Sequence, residues 1–505
     1  MAMPSTKNAI RVLDEPELEF RYGQRVTRPH TGLSLFGPFD TDTGGSPRGI
    51  SYALIGPRDG LESFKSFAKL MRGPVPSPPD KKPALWPLFP GFDVAFGHDW
   101  PAEPAWEEHV DRCKLLDAAS VSDRYQRVHQ VVNLIIDPIE KAQKRDEQPR
   151  VLICVVPDEV WKTCRPEQQV LDGTGERVTA SETRSRIRGD RGLWDTYDPV
   201  VYQLAPDFRR QLKARVMKFG TPIQIIREST LGLEPEKRFS YRGLTPLPDR
   251  MWNLATALYY KAGGKPWRLA TAREGVCYVG IAFRLQNPGQ SSRNGCCAAQ
   301  MFLDDGDGVV FLGEYGPWYA PETKQFHLKP EAAKSLLSGV IKTYQDLHGK
   351  PLREVFLHAR SGIDTEEFEG YRAAVPSETK VVAVRVRSGS RSLRLFRQGT
   401  RPLIRGTFLP IDDRRGFLWT SGFKPELKAY DGWDVPVPLS LEVQHGKADI
   451  EQVARDIFGL TKLNYNACKV GDSQPVTVGF SDAVGEILIS NPSVQDRRPQ
   501  FRFYI

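Results

Sequence analysis

The stretch "ISYALIG" (50–56) is a run of strand length whose only polar side chain is Ser51, and in "DGLESFKSFAKLM" behind it apolar residues recur at the spacing of one helical face. The alternation continues along the chain. "DVAFG" (93–97) reads as a short strand, "DRYQRVHQVVNLIIDPIEKAQK" as a long helix and "VLICVVP" (151–157) as a strand buried on both faces. A polar insertion covers about 165–192. Then come a helix at "PDFRRQLKARVMKF" (206–219), a strand at "IQIIRE" (223–228) and a helix through "ALYYKAGG", where Gly263-Gly264 supplies a C-terminal stop. Strands alternating with helices predict a parallel, doubly wound sheet of Rossmann-like type, with ligands gathering at the carboxyl ends of its strands.

After Trp267 the rhythm changes. "CYVGIAF" (277–283), "AAQMFLD" (298–304) and "VVFLGE" (309–314) read as three strands, with a "DGDG" turn (305–308) joining the last two. A helix in "KPEAAKSLLSGVIKTYQDL", a strand at "EVFLHAR" (354–360), a helix in "DTEEFEGYRAAV" and a strand at "KVVAVRV" (380–386) follow. Two consecutive hairpins and then alternating helix and strand is the chain order of an RNase H-like fold. The fold class expected is therefore α/β: a Rossmann-like parallel-sheet unit over 49–269, an RNase H-like unit over 270–505, and an extension over 1–48 packing on the core. The Pro-rich "PVPSPPDKKPALWPLFP" (74–90) reads as a rigid loop packed by Trp86 and Phe89.

With 505 residues, 40% of them hydrophobic, the chain is long enough for two to four domains. The N-terminus lacks a signal-peptide apolar region, and no apolar run reaches the roughly 20 residues of a membrane helix, so a cytoplasmic protein without membrane contact is expected. Seven cysteines without a CxxC pair, and scattered histidines without HExxH, point to neither a disulfide framework nor a zinc motif. Absence of GxGxxG and GxxxxGK[ST] weighs against a nucleotide-using α/β enzyme.

Charge narrows the partner class. Lys and Arg outnumber Asp and Glu by 70 to 62, and "RVRSGSRSLRLFRQGTRPLIR" (385–405) holds seven arginines and no acid. Such a block repels itself unless an anion lies on it, which makes nucleic acid the leading partner; a solvated loop and an acidic region of a protein partner are the alternatives. Arg385, Arg387, Arg391, Arg394 and Arg397 are the candidate backbone contacts. In the first unit, Arg209 and Lys213 lie four residues apart on one helix face, Gln224 begins the next strand, and Lys261 ends the next helix with Lys265 close behind. Together these describe a phosphate pocket, whereas Lys261 alone needs only to offset a helix C-terminus.

Two-metal RNase H-type cleavage needs carboxylates at the centre of the first strand and the end of the fourth. Those positions read Gly280-Ile281-Ala282-Phe283 and Leu357-His358-Ala359-Arg360, without an acid. Asp482, in "PVTVGFSDAVGEIL", and Glu314 are the acids an active nuclease would have to use. The expectation is a unit that holds a duplex without cutting it; a guided nuclease is the alternative.

"LKARVMKFGTPIQII" and "NLATALYYKAGGKPWRL" resemble the MID domain of Argonaute proteins, and the remainder resembles their PIWI domain. The blocks "GLSLFGPFD", "CRPE", "IIREST", "GCCAAQMFLDDGDGVVFLGEYGPWY" and "LTKLNYNAC" are similar to the short prokaryotic Argonautes, built of MID and PIWI alone. The resemblance implies that Lys213, Gln224 and Lys261 hold a guide 5′-phosphate, with Arg209 in place of an aromatic and Ala257 in place of a further lysine. It implies a magnesium ion on that phosphate, held by Gln224 and the terminal carboxylate of Ile505. The catalytic aspartates fall on Ala282 and Ala359. It further implies a guide-RNA-directed sensor of invading single-stranded DNA, in a heterodimer able to oligomerise on activation. Its partner would be a protein with an APAZ segment and a TIR, sirtuin-like or nuclease effector.

Overall fold

Val151–Val156 is apolar at all six positions, and every one is buried, as a central parallel strand requires. The computed structural model describes residues 9–42, 44, 47, 49–190, 197–232, 245–285, 295–302, 308–320, 322, 325–349, 351–388, 393–430, 432, 434–490 and 498–505. Of the expected features, Arg391 and most of the 305–308 turn lie outside these residues, as do the side chains of Glu314 and Asp482.

The first sheet is built from β1 (Tyr52–Gly56), α1 (Arg58–Met71), β2 (Trp106–His109), α2 (Arg124–Ala142), β3 (Val151–Val156), α3 (Phe208–Val216), β4 (Ile223–Arg227) and α4 (Leu247–Lys261). Its strands run in the order β2-β1-β3-β4, all parallel. Helix α2 forms because Asp123 caps it, accepting from the Tyr125 and Gln126 amides. Its apolar stripe, Val128, Val131, Val132, Ile135, Ile136 and Ile139, is buried on the sheet. One predicted element is corrected: 93–97 is not a strand. Phe92–Phe96 is a helix, because Phe92, Ala95 and Phe96 fall on one face and bury together; the strand position beside β1 belongs to Trp106–His109.

The second sheet contains β5 (Val276–Leu285), β6 (Gly295–Phe302), β7 (Gly308–Gly316), α5 (Pro330–His348), β8 (Glu354–Ala359), α6 (Thr365–Arg372) and β9 (Lys380–Ser388). The strands β7-β6-β5-β8-β9 lie side by side, antiparallel through the hairpins and parallel from β5 to β9, which is the RNase H-like order. The sheet continues past β9 through β12 (Leu439–His445), β11 (Arg415–Trp419) and β10 (Thr407–Pro410) to Arg11–Val12. The mixed α/β architecture thus agrees with the sequence reading.

Both sheets share one apolar core, from Tyr52 and Phe64 to Ile457 and Phe458. Trp267, fully buried between them, donates its indole N–H to the Lys462 carbonyl (3.0 Å), and Tyr465 donates to the Trp267 carbonyl (2.9 Å). Leu18–Glu19 pairs with Arg268–Leu269, and Glu15 joins the buried Arg405 and Lys462. The Pro-rich segment closes on itself through Val75 and Phe89, and Phe89 packs edge-on to Trp252 at 5.1 Å.

Candidate functional site

Helix α4 is apolar on nearly all sides, and each residue from Leu254 to Lys261 is buried. A lysine on the last turn of such a helix is carried into the interior with it. Lys261 is 1% exposed, and Lys213, at the middle of α3, is 3% exposed. Asp207 caps α3 and accepts from the Arg210 amide (2.9 Å), which fixes the helix phase so that Lys213 turns inward below Arg209. The chain leaves α4 through Gly263, whose φ of +107° suits glycine.

The two ammonium groups converge on one atom. Lys213 Nζ and Lys261 Nζ both donate to the main-chain oxygen of Ile505, and Lys213 also donates to the Tyr504 carbonyl at 3.2 Å. Ile505 reaches them because residues 498–505 run along the second sheet: the Val310 amide donates to the Pro499 carbonyl (2.7 Å), and Gln500 bridges to Val309. Phe501 packs edge-on to Phe302 and Phe480. The site is therefore composite, with cations from the first unit and an oxygen from a tail anchored on the second.

Among the described residues no acidic side chain pairs with either lysine. Burial first, and the Arg209 guanidinium second, push the Lys261 ammonium down from 10.5 to about 7. Burial, then Lys261, then Arg209 hold Lys213 well below the usual lysine range. Arg209, itself pushed down by burial, makes no hydrogen bond or ion pair among the described residues. Three cations thus face a space containing main-chain oxygens. Such a cluster is stabilised by an anion with several oxygens.

The other candidate residues are distributed as follows. Gln224 stands on β4, against which both α3 and α4 pack; its Nε2 donates to the Ile225 carbonyl (3.2 Å), and its Oε1 accepts no hydrogen bond among the described residues. Lys265 is held by its amide, which donates to Asp40 (2.8 Å), while the Tyr259 hydroxyl donates to the other Asp40 oxygen. It lines a cavity of about 230 Å3 with Tyr260, Gly263, Thr343, Phe501 and Arg502, next to the lysine pair and distinct from it.

The RNase H-like centre carries no carboxylate at the two strand positions. Ala282 is 6% and Ala359 2% exposed, and Ala359 stands in register with Ile281. On the adjoining positions, His358 Nδ1 lies 2.9 Å from Thr477 Oγ1, and Arg360 donates to Gln474 (3.0 Å) and the Val478 carbonyl (3.2 Å). Burial lowers His358 to about 3, so it is neutral. A Cβ on Gly280 would lie 1.9 Å from the Thr477 carbonyl oxygen, so this strand admits only glycine there.

The arginine block divides. Arg405 is buried, bonded to Glu15, the Thr420 and Asp472 carbonyls and Thr461, and stacked on Phe458 at 4.6 Å. Arg385 faces Glu442 at 3.7 Å. Arg387 reaches the Arg360 carbonyl (3.4 Å), which brings it to the rim of the RNase H-like centre. Arg394 is half-buried, Arg397 and Arg401 lie over the Phe423 ring at 5.3 and 5.4 Å, and Phe396 is 77% exposed beside them. No helix among the described residues is long and apolar enough to cross a membrane.

No protein-family model and no curated protein matches this chain. Solved structures do. Clostridium butyricum Argonaute bound to a guide DNA and a 19-mer target DNA matches 99% of this chain with 55% of its own, at TM-score 0.62 and 15% identity. The crystal structure of A. aeolicus Argonaute matches 95% with 53% of its own (TM-score 0.55, 13% identity), and Drosophila Piwi 98% with 56% (TM-score 0.58, 12% identity). The chain spans about half the length of these structures, and its fold is Argonaute-like.

Proposed function

We propose that this protein binds the 5′-phosphate of a guide strand at Lys213 and Lys261, with Arg209 at the entrance, and presents the guide for pairing with a target strand. The observation that carries the reading is the convergence of two buried ammonium groups on the carboxyl oxygen of Ile505, with no acidic side chain beside them among the described residues. A phosphate offers three acceptor oxygens and up to two charges, more than the Tyr504 and Ile505 oxygens supply to these cations, so it relieves the repulsion that remains. Structures with this fold include one bound to guide and target DNA, which supports a nucleic-acid ligand.

Two oxygens of this proposal suit a hard cation: Gln224 Oε1, which has no hydrogen-bond donor among the described residues, and the terminal carboxylate of Ile505. In this proposal these two atoms would hold a magnesium ion beside the phosphate, where it would supply further neutralisation of the phosphate charge.

The RNase H-like unit, in this reading, holds the guide–target duplex without cutting it. Ala282, Ala359, His358 and Arg360 occupy the places where cleavage needs metal-binding acids. The resemblance to short prokaryotic Argonautes extends the proposal to a guide RNA, a single-stranded DNA target, and an APAZ-containing effector protein that the duplex activates. Arg394, Arg397 and the exposed Phe396 are the surface offered to duplex or partner.

Fluorescence anisotropy with 5′-phosphorylated and 5′-hydroxyl RNA of one sequence tests the site. The phosphorylated strand is expected to bind about tenfold or more tightly, with the difference abolished in Lys213→Met/Lys261→Met. Equal binding of the two strands by the wild-type protein refutes it. Pull-down with an APAZ–effector protein, and effector turnover on adding guide and target together, test the sensor role.

A further inference from the structure

Away from the lysine pair, the structure gathers three metal-ligating side chains that no sequence motif announces. His327 follows the short strand Gln325–Phe326, Asp364 caps α6, and Glu367 stands in its first turn. The His327 Nδ1 atom lies 3.4 Å from Asp364 Oδ2 and 3.5 Å from Glu367 Oε2. All three donor atoms fall within 4.8 Å of one another.

The remaining polar atoms of the cluster are already engaged. Asp364 Oδ1 accepts the Glu367 amide (2.8 Å), and Glu367 Oε1 accepts the Tyr371 hydroxyl (3.1 Å). His327 Nε2 lies 3.2 Å from Gln325 Oε1, an acceptor, so it carries a proton, and Nδ1 is the ring atom that faces the two carboxylates; without a bound ion, Glu367 first and then Asp364 hold the ring above its usual pKa. Glu367 is fully buried, and apart from their mutual ion-pair contact neither its Oε2 nor His327 Nδ1 makes a hydrogen bond among the described residues. A buried carboxylate oxygen facing a ring nitrogen and a second carboxylate is stabilised by a cation, which either the protonated His327 ring or a bound metal ion supplies.

The spacing suits a small ion. Tetrahedral ligands on bonds of about 2.0–2.1 Å stand about 3.3–3.4 Å apart, close to both measured separations. The frame needs no metal to form: a Cβ on Gly370 would lie 2.3 Å from the Pro330 carbonyl oxygen, so α6 and the start of α5 are already pressed together beside His327. The Tyr371 hydroxyl, the Glu367 amide and Gln325 are the outer partners that orient such ligands.

We propose that His327 Nδ1, Asp364 Oδ2 and Glu367 Oε2 bind one divalent transition-metal ion of the zinc class, with a fourth position open to water on the half-exposed Asp364 side. One imidazole and two carboxylates suit Zn2+ better than magnesium, which favours oxygen ligands alone.

Isothermal titration of the chelator-treated full chain with Zn2+ alone tests this, with Co2+ absorption reporting tetrahedral geometry. One ion per chain is expected. Asp364→Asn keeps the helix cap while removing the charge, and His327→Ala removes the nitrogen; each is expected to weaken binding about 100-fold and abolish the Co2+ signal. Tyr371→Phe is expected to weaken it about tenfold. Circular dichroism establishes that each variant is folded. Absence of one-to-one binding, or unchanged affinity in folded His327→Ala, overturns the proposal, the latter by locating the ion elsewhere.

Discussion

Replacing Lys261 with methionine separates stability from binding at the lysine pair. The side chain keeps its volume and loses its charge. In the wild-type protein without ligand, burial and Arg209 move the ammonium from 10.5 to about 7, which corresponds to roughly 5 kcal/mol between folded and unfolded states. The folded-state value is the lower one, so between pH 7 and 10.5 the unfolded chain binds the proton that the folded chain has released. Stability therefore rises with pH across that window, and below pH 7 the full penalty applies. Lys261→Met removes the penalty. Denaturant unfolding at pH 7 and pH 10 is expected to show the variant more stable than wild type at pH 7 by at most about 4 kcal/mol, the lost Ile505 contact reducing the gap, which closes at pH 10. Adding a 5′-phosphorylated oligonucleotide is expected to stabilise wild type and leave the variant unmoved. By the same linkage, phosphate binding takes up protons near neutrality, and affinity falls as pH rises above about 7. A variant less stable than wild type at pH 7 without ligand would refute the reasoning, because the Ile505 oxygen would then suffice as partner for a charged lysine.

Arg405→Ala is expected to destabilise the fold by about 3–5 kcal/mol, since it removes a buried cation from Glu15 and four hydrogen bonds; thermal unfolding measures it. Arg394→Ala/Arg397→Ala is expected to leave the protein folded and to reduce the slope of log affinity against log salt by about 1–2 for a guide–target duplex. An unchanged slope would move that surface to the protein partner. Gly280→Ala is expected to cost about 1–3 kcal/mol, because its methyl group meets the Thr477 carbonyl oxygen. Purified protein with guide, Mg2+ or Mn2+ and end-labelled complementary DNA is expected to yield no cleavage product; a discrete cut would overturn the non-cutting reading.

The fold was legible where burial is one-sided or complete. Val151–Val156 and the stripe of α2 announce themselves by period, and so does the chain order of the second sheet. Phe92–Phe96 was misread because five residues between two glycines satisfy strand and helix patterns alike, while the edge strand Trp106–His109 carries two glutamates and lacks an apolar run. Lys213, Lys261 and Arg209 could be nominated from spacing, but their burial could not. The available signal was that α4 is apolar around its circumference, so a lysine within it must be buried too. His327, Asp364 and Glu367 lay beyond any motif, because a histidine next to one strand meets the cap of a helix nearly forty residues on.

The lysine site shows why composite sites resist sequence reading. Lys213 and Lys261 come from helices flanking β4, whereas the oxygen that holds them apart belongs to a tail fastened to β7 of the other sheet. A carboxyl oxygen can accept from two ammonium groups, but it leaves most of their donor capacity unused, and among the described residues Arg209 makes no hydrogen bond. Two cations that repel, lose hydration on burial and have only the Tyr504 and Ile505 oxygens as acceptors among the described residues do not stabilise a fold by themselves. Their positions become favourable when an anion enters with oxygens for all three groups. On the proposed reading, the residues that weaken the ligand-free protein near neutral pH would set a preference for a phosphate terminus, and the tail that meets them also lies against the second sheet at Val309 and Val310.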